Sequence, residues 1–413
     1  MQIQSDAKQI IAAALKAAQP DTAVQKALTH LPCCTGRIIL VAAGKAAWAM
    51  ANAASQALGG RIDSGIVITK YGHAQGPIQS FLIREAGHPV PDAASYAAAQ
   101  EAIQMVQSLT QQDLVLFLLS GGGSALFESP LISAQEMDAL TRQLLACGAD
   151  IVEINTLRKR LSAVKGGRFA QLCAPAHVFS IVLSDIIGDP LDMIASGPAY
   201  PDSSTSEQAL AIVQKYHLQL SPAAMQLLHQ ETPKELTNVE TFVTGSVRQL
   251  CQAACQVSQS LGYTPYLLTD RLSCEAREAG RFLASIAQCH ATAQEPLALI
   301  AGGETVVHLT GNGLGGRNQE IALSAAKGID GLPGVLLFSI GSDGTDGPTD
   351  AAGGLVTGET AQALREKGID LDGMLQNNDA YHALQAVDAL IMTGPTGTNV
   401  NDLTCLLIRP CKI

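Results

Sequence analysis

Short apolar runs alternate with longer amphipathic stretches along most of this chain. Arg37–Ala42 (RIILVA), Gly65–Thr69 (GIVIT), Asp113–Leu119 (DLVLFLL) and Val178–Leu183 (VFSIVL) predict strands. Ser5–Ala18, the Ala-rich stretch from Gly44-Lys45 to Leu58, Ala93–Leu109, Ser133–Cys147 and the basic stretch Glu153–Leu172 predict helices. A strand that is apolar at nearly every position has no solvent face, so it belongs in a parallel sheet covered on both sides. After Pro201 the chain is Ser/Thr-rich and then helical, and the polar segment Gln230–Val239, with Pro233, marks a boundary. The rhythm then restarts. Strands are expected at Thr241–Thr244, Thr264–Leu268, Leu297–Ala301, Val306–Leu309, Val335–Ile340, Asp388–Thr393 and Asp402–Ile408, with helices ending at Leu261 and Cys289. The expected class is α/β, with two Rossmann-like α/β domains, 1–236 and 237–413, largely parallel sheets and an interdomain active-site cleft. Open α/β sheets bind ligands beyond the carboxyl ends of their strands, so the loops that follow strands are where chemistry is expected.

Composition narrows the function classes. The chain has 413 residues, and at roughly 150 residues per domain that implies two or three units. A net charge of −11 argues against nucleic acid or an anionic membrane as partner. An anionic small molecule would need a local basic pocket. Only 4% of residues are aromatic, with one tryptophan, Trp48, so no stacking platform for single-stranded nucleic acid is expected. Met1–Asp6 lacks a basic segment leading into an apolar core, and Leu114–Leu119 is too short to span a bilayer. The ten cysteines are scattered without a Cys-x-x-Cys pair, which fits reduced thiols in the cytoplasm.

Four glycine-rich loops could carry chemistry. Ser120-Gly-Gly-Gly-Ser124 follows an apolar strand. Three glycines exceed what a turn needs, and successive backbone N–H groups can line an anion cradle, helped by the dipole of a following helix. Ala43-Gly-Lys45 also follows a strand but is not a Walker A loop, since Ala46 replaces the Ser/Thr. A lysine opposes the dipole at a helix start, which favours a ligand-based reason for it. Gly311-Asn-Gly-Leu-Gly-Gly316 matches G-x-G-x-x-G and leads into Arg317 and Asn318. It reads as a dinucleotide loop, as a loop presenting an arginine suited to a carboxylate or phosphoryl group, or as a glycine hairpin with a solvated arginine. Gly341–Asp350 holds Asp343, Asp346 and Asp350. These could ligate a phosphate-bound magnesium, or could stabilise turns and cap a helix. Ser184–Asp189 puts two further carboxylates after a strand. Arg158, Lys159, Arg160, Lys165 and Arg168 form either a solvated face or a positive wall for an anion. His88 is the one histidine inside a motif-like stretch.

These segments combine into a resemblance. In chain order they are Ala43–Ala46, Ala86–Asp92 (AGHPVPD), Ser120–Ser124, Asn155–Arg168, Ser184–Asp202, Gly302–Thr305, Gly315–Glu320 (GGRNQE), Gly341–Asp350 and Gly394–Asn401 (GPTGTNVN). Together they resemble the glycerate 2-kinases that carry a MOFRL C-terminal domain, over nearly the whole chain. Proteins of this pattern have also carried the label hydroxypyruvate reductase. The resemblance implies transfer of the ATP γ-phosphoryl group to the 2-hydroxyl of D-glycerate, with Mg²⁺ or another divalent cation. It places the family's important lysine at Lys45 and its important arginine at Arg317. The expected catalytic residues are then Lys45 and Arg317, on opposite walls of the transferring group, and Asp189 as base or metal ligand. Ser120, Gly121, Gly122, Gly123, Ser124, Lys165, Arg168, Glu304 and Asn318 are expected to bind phosphate or substrate. Asp189, Asp343 and Asp346 are the expected metal ligands. The expected partners are D-glycerate and a nucleotide, without nucleic acid or membrane; a homodimer stays open. The rival is an NAD(P)H-dependent hydroxypyruvate reductase using Gly311–Gly316.

Overall fold

A computed structural model describes residues 2–410. The chain divides into two compact units. The first holds Ala23–Ser184 and Asp189–Thr244; the second holds residues up to Thr22, Asp185–Gly188 and those from Gly245 onward.

The first unit is built on a six-stranded sheet. Its strands are β1 (Ile38–Ala43), β2 (Ser64–Lys70), β3 (Leu82–Ala86), β4 (Leu114–Leu119), β5 (His177–Leu183) and β6 (Val239–Gly245), in the order β3-β2-β1-β4-β5-β6. Pairing from β3 through β5 is parallel. The apolar runs of β1 and β4 are buried at every position. Ile39, Val41, Val115 and Phe117 face one core, while Ile38, Leu40, Leu114 and Leu116 face another on the opposite side. Strand alternation thus divides one run between two cores.

The second unit has β7 (Thr264–Leu272), β8 (Leu297–Gly303), β9 (Val335–Gly341), β10 (Gly353–Thr357), β11 (Leu390–Ile391) and β12 (Asp402–Ile408), in the order β11-β10-β9-β12-β8-β7. Strand β12 is antiparallel to both β8 and β9, and β10 is antiparallel to β9 and β11. Four strands (β7, β8, β9, β11) therefore share a direction, and two run against them. The parallel expectation does not cover β12 and β10. A buried strand looks the same in sequence whichever way it runs, because its pattern reports covered faces and not direction.

Four further expectations shift. The 236/237 boundary moves to 244/245, because Val239–Gly245 completes the first sheet instead of opening the second. The helix Gln2–Ala17 belongs to the second unit. It buries Ile10, Ile11 and Ala14 against Leu250 and Ala254, and its Asp6 accepts hydrogen bonds from Tyr263 Oη (2.8 Å) and Arg409 Nη1 (2.7 Å). The basic stretch forms two helices, Ile151–Arg160 and Arg168–Cys173, broken at Gly166 and Gly167, which both take positive φ. The strand expected at Val306–Leu309 reduces to a single bridge between Val306 and Glu275.

Candidate functional site

In the first unit the glycine loop and the lysine loop are laced together at the carboxyl ends of β1 and β4. The Ser120 amide donates to Ala43 O (3.0 Å), the Lys45 amide to Gly121 O (2.9 Å), and the Ala46 amide to Ser120 Oγ (3.0 Å). Gly44 sits at φ +127°, and a Cβ there would lie 2.2 Å from Ser120 Oγ, so the lacing requires glycine. Ser120 is buried, and its hydroxyl is committed to this lacing. The amides of Gly121 and Gly122 donate to no described residue. The helix that follows, Gly123–Leu126, is a single turn. Any anion bound at this loop would therefore meet those two amides and not a helix dipole.

Two side chains, those of His88 and Lys45, border this loop at Gly122. Gly122 has φ +83°, and a Cβ there would lie 3.0 Å from His88 Nε2 and 3.2 Å from Lys45 Cγ. The Lys45 carbonyl accepts from Thr69 Oγ1 (3.3 Å) and lies 3.2 Å from His73 Nδ1. Its ammonium has no hydrogen bond or ion pair to any described residue. Burial, followed by the charges of Lys45, Lys70 and His73, pushes the His88 imidazole below its usual pKa. The sequence reading missed Lys70 and His73, which lie at and just beyond the end of β2. A cation closing a buried apolar strand was the signal available at Lys70.

Lys165 and Arg168 do not reach the open side of this loop. Lys165 is fully buried, and its ammonium donates to Ser124 O (2.8 Å) and Phe127 O (3.2 Å), 3.5 Å from the buried Glu128 carboxylate. Burial pulls its pKa down to about 8. Arg158 braces the same groups, at 3.3 Å from Ser124 O and 3.1 Å from Glu128. Ser124 Oγ itself pairs with Ser196 Oγ (3.2 Å). Arg168 donates to Arg160 O and Ser162 O. Lys159 pairs with Asp202 (3.0 Å) and Asp192, and Arg160 with Glu231 (3.2 Å). The basic stretch is thus neither a solvated face nor a positive wall. It is an internal frame whose cations are used by carbonyls and buried acids, as burial of a charge demands. Replacing Lys165 with methionine should destabilise the protein by about 3 kcal/mol, since Glu128 then keeps one cation instead of two. Thermal unfolding checks this, and an unchanged Tm would contradict the bracing role.

Asp189 sits at φ +51°, and its Oδ1 is buried without a hydrogen-bond partner. Buried carboxylate oxygens are rarely left so, and an unmet acceptor suits a ligand or a cation.

In the second unit Arg317 opens the helix Arg317–Gly328, just past Gly316. Its Nε and Nη2 grip the two oxygens of Asp402, at 2.5 and 3.1 Å, and its Nη1 bonds Glu304 Oε1 (2.8 Å). Asn401 Nδ2 donates to the other Glu304 oxygen (3.2 Å). Burial works against the guanidinium charge, but the Asp402 bond and charge, then Glu304, raise its pKa well above the usual value. The structure brings the expected residues Arg317 and Glu304 together. Asp402 was missed, although it directly follows the motif Gly394–Asn401.

The remaining expectations resolve differently. Asp346 is buried and caps the helix, accepting from the Asn318 amide (3.2 Å), Asn318 Nδ2 (3.2 Å) and the Gln319 amide (2.8 Å). Burial pushes its pKa up to about 6. Asn318 is buried and also accepts from Ser339 Oγ (2.6 Å), so it holds the fold and does not face a ligand. Asp343 closes a turn on the Thr345 amide (3.0 Å). Among the described residues no trio of His, Cys, Asp or Glu is placed to hold a metal ion. The Asp343–Asp346 metal reading gives way to capping and turn chemistry.

The chain matches two families in succession: a domain of unknown function, DUF4147, over residues 6–229, and the MOFRL family over 297–402. A D-glycerate 2-kinase of Thermotoga maritima is 53% identical over 406 residues, 97% of each chain. The crystal structure of a glycerate kinase from the same organism superposes with a TM-score of 0.95 at 52% identity, covering 98% of this chain and 99% of that one. This chain belongs to the glycerate 2-kinase family. A member in Agrobacterium vitis, 42% identical over 90% of this chain and all of its own length, is named only provisionally, as a hydroxypyruvate reductase. In this glycerate 2-kinase family member the Gly311–Gly316 loop is already filled. The Thr310 and Gly311 amides donate to Asn378 Oδ1, the Gly313 amide to Asn377 O, and the Leu314 amide to Asp379 Oδ1. Amides spent this way leave no pyrophosphate cradle. The G-x-G-x-x-G match instead delivers Arg317 to Asp402. No described helix is long and apolar enough to cross a membrane.

Proposed function

We propose that this protein transfers the γ-phosphoryl group of ATP to the 2-hydroxyl of D-glycerate, giving 2-phosphoglycerate and ADP. The substrate pair is carried over from the relatives. The observation that carries the chemistry is a lysine, Lys45, with an unpaired ammonium and a side chain that passes Gly122 at Cγ, next to the free amides of Gly121 and Gly122. Phosphoryl transfer asks mainly for positioning and for neutralisation of spread negative charge. Lys45 and the two amides offer three donors for phosphate or carboxylate oxygens. Arg317, clamped by Asp402, offers a rigid guanidinium whose Nη1 holds a carboxylate, that of Glu304. An anionic oxygen of the substrate can take the same position.

Magnesium travels with nucleotide phosphates and needs only one or two protein carboxylates. The unmet oxygen of Asp189 fits that requirement, and Asp343 and Asp346 do not. When bound, the cation would neutralise phosphate charge. The unpaired thiols of the described cysteines suit a reducing compartment, and we place the enzyme in the cytoplasm.

Purified protein given D-glycerate, Mg²⁺ and ATP should form ADP and 2-phosphoglycerate in equal amounts. The same protein given hydroxypyruvate and NADH should leave the NADH intact. Oxidation of NADH with no ADP formed would overturn the proposal.

A further inference from the structure

Kinase chemistry on an alcohol must dispose of a proton. None of the groups assigned above takes it. Lys45 and Arg317 are cations, and the unmet oxygen of Asp189 is assigned to the metal. A further titratable group, the His88 imidazole, borders the glycine loop at Gly122.

His88 lies two residues past β3, and its Nε2 reaches the space beside Gly122 that Lys45 Cγ also borders. That space exists because residue 122 has no Cβ. The ring makes no hydrogen bond to any described residue. Histidines at such positions usually have one ring nitrogen fixed by a carbonyl or carboxylate. Here the charged neighbours are the cations Lys45, from the loop after β1, and Lys70, at the end of β2, with the His73 ring beyond them. The nearby acids are engaged elsewhere. Asp92 accepts from Tyr71 Oη (2.9 Å) and the Ser95 amide (3.0 Å), and Glu85 from the Ala74 amide (3.0 Å).

We propose that His88 is a catalytic residue, the base that accepts the proton of the glycerate 2-hydroxyl as that oxygen attacks the γ-phosphorus. The inference rests on the kinase reading. One O–P bond forms to the glycerate oxygen. The bond from the γ-phosphorus to the β–γ bridging oxygen breaks, and its electron pair leaves with ADP. The hydroxyl proton passes to an imidazole nitrogen and from there to water. The cationic surroundings serve both parts of this step. They attract the anionic reactants and they keep the imidazole neutral, with a lone pair free. A base is most useful when its pKa lies near the working pH and its acceptor nitrogen is not already bonded.

The test is the full-length enzyme with His88→Gln and His88→Ala. Both should lose about 10²–10⁴-fold in kcat, the range for removal of a general base. Binding of ATP and D-glycerate, read by calorimetry, should change less than threefold. Wild-type kcat should fall on the acid side below pH 6.5, as the imidazole takes up a proton, and this limb should disappear in His88→Gln. Added imidazole should restore part of the His88→Ala rate. A His88→Gln enzyme within threefold of wild-type kcat, or one that keeps the acid limb, overturns the inference while leaving the kinase reading intact. Failure of imidazole to raise the His88→Ala rate counts against it in the same way. If wild type forms no ADP from D-glycerate, it is the kinase reading that fails.

Discussion

Arg317→Ala is expected to lower kcat by about 10³–10⁵-fold, the range for an arginine that stabilises a transferring phosphoryl group. It should also lower Tm, and the two effects have separate causes. Asp402 is 4% exposed and is gripped through both oxygens by Arg317. Without that partner it becomes a buried, uncompensated carboxylate, the costly case for a broken ion pair. The double variant Arg317→Ala/Asp402→Asn should therefore recover part of the Tm and none of the rate. Steady-state kinetics beside a thermal melt of both variants checks this. Recovery of the rate in the double variant would show that Arg317 supports the fold and does not act on substrate. Arg317→Lys should stay slow as well, because an ammonium cannot make the two parallel bonds that orient the guanidinium.

Lys45→Ala should behave in the opposite way with respect to stability. Its ammonium has no partner among the described residues, so its loss should leave Tm within about 2 °C of wild type, as for a substitution that breaks no hydrogen bond or ion pair. Turnover should nevertheless fall by about a thousandfold, the scale for one donor aimed at transition-state charge. The glycine loop should hold its shape in this variant, because its lacing uses the Lys45 amide and not the side chain. Activity near that of wild type would remove Lys45 from the chemistry. An activity loss with a large drop in Tm would mean that the side chain serves the fold.

The contrast between these two residues also shows what the sequence could reveal. Lys45 stands out in the sequence against a simple rule: a lysine at a helix start is electrostatically misplaced unless a ligand repays it. Arg317 emerged only through its motif, because its geometry depends on Asp402, 85 residues away in sequence. In the first sheet β1, β2, β4 and β5 were legible, β6 was legible as a strand but was assigned to the second sheet, and β3 was missed because its sequence Leu-Ile-Arg-Glu-Ala carries polar residues at the sheet edge. In Asn155–Arg168 the residue types were right for an anion wall. Burial reversed the reading, since Lys165 at 0% exposure can only serve carbonyls and Glu128. Residue type identifies a cation but not what surrounds it. Likewise Asp343 and Asp346 are dense in acid, yet each is used by backbone amides that a linear sequence does not display.

Strand β12 has a consequence for how the molecule is made. It is buried along its whole length at the middle of the second sheet, between β8 and β9, and it brings Asp402 to Arg317. It is also made after all the other described strands of its sheet. The first sheet can close while synthesis continues, whereas β8 and β9 must wait with open edges for their shared neighbour. During that interval those edges are templates for wrong pairing. Arg317 is thus without its clamp until Asp402, 85 residues further on, has been made, and the ion pair forms only when β12 takes its place between β8 and β9.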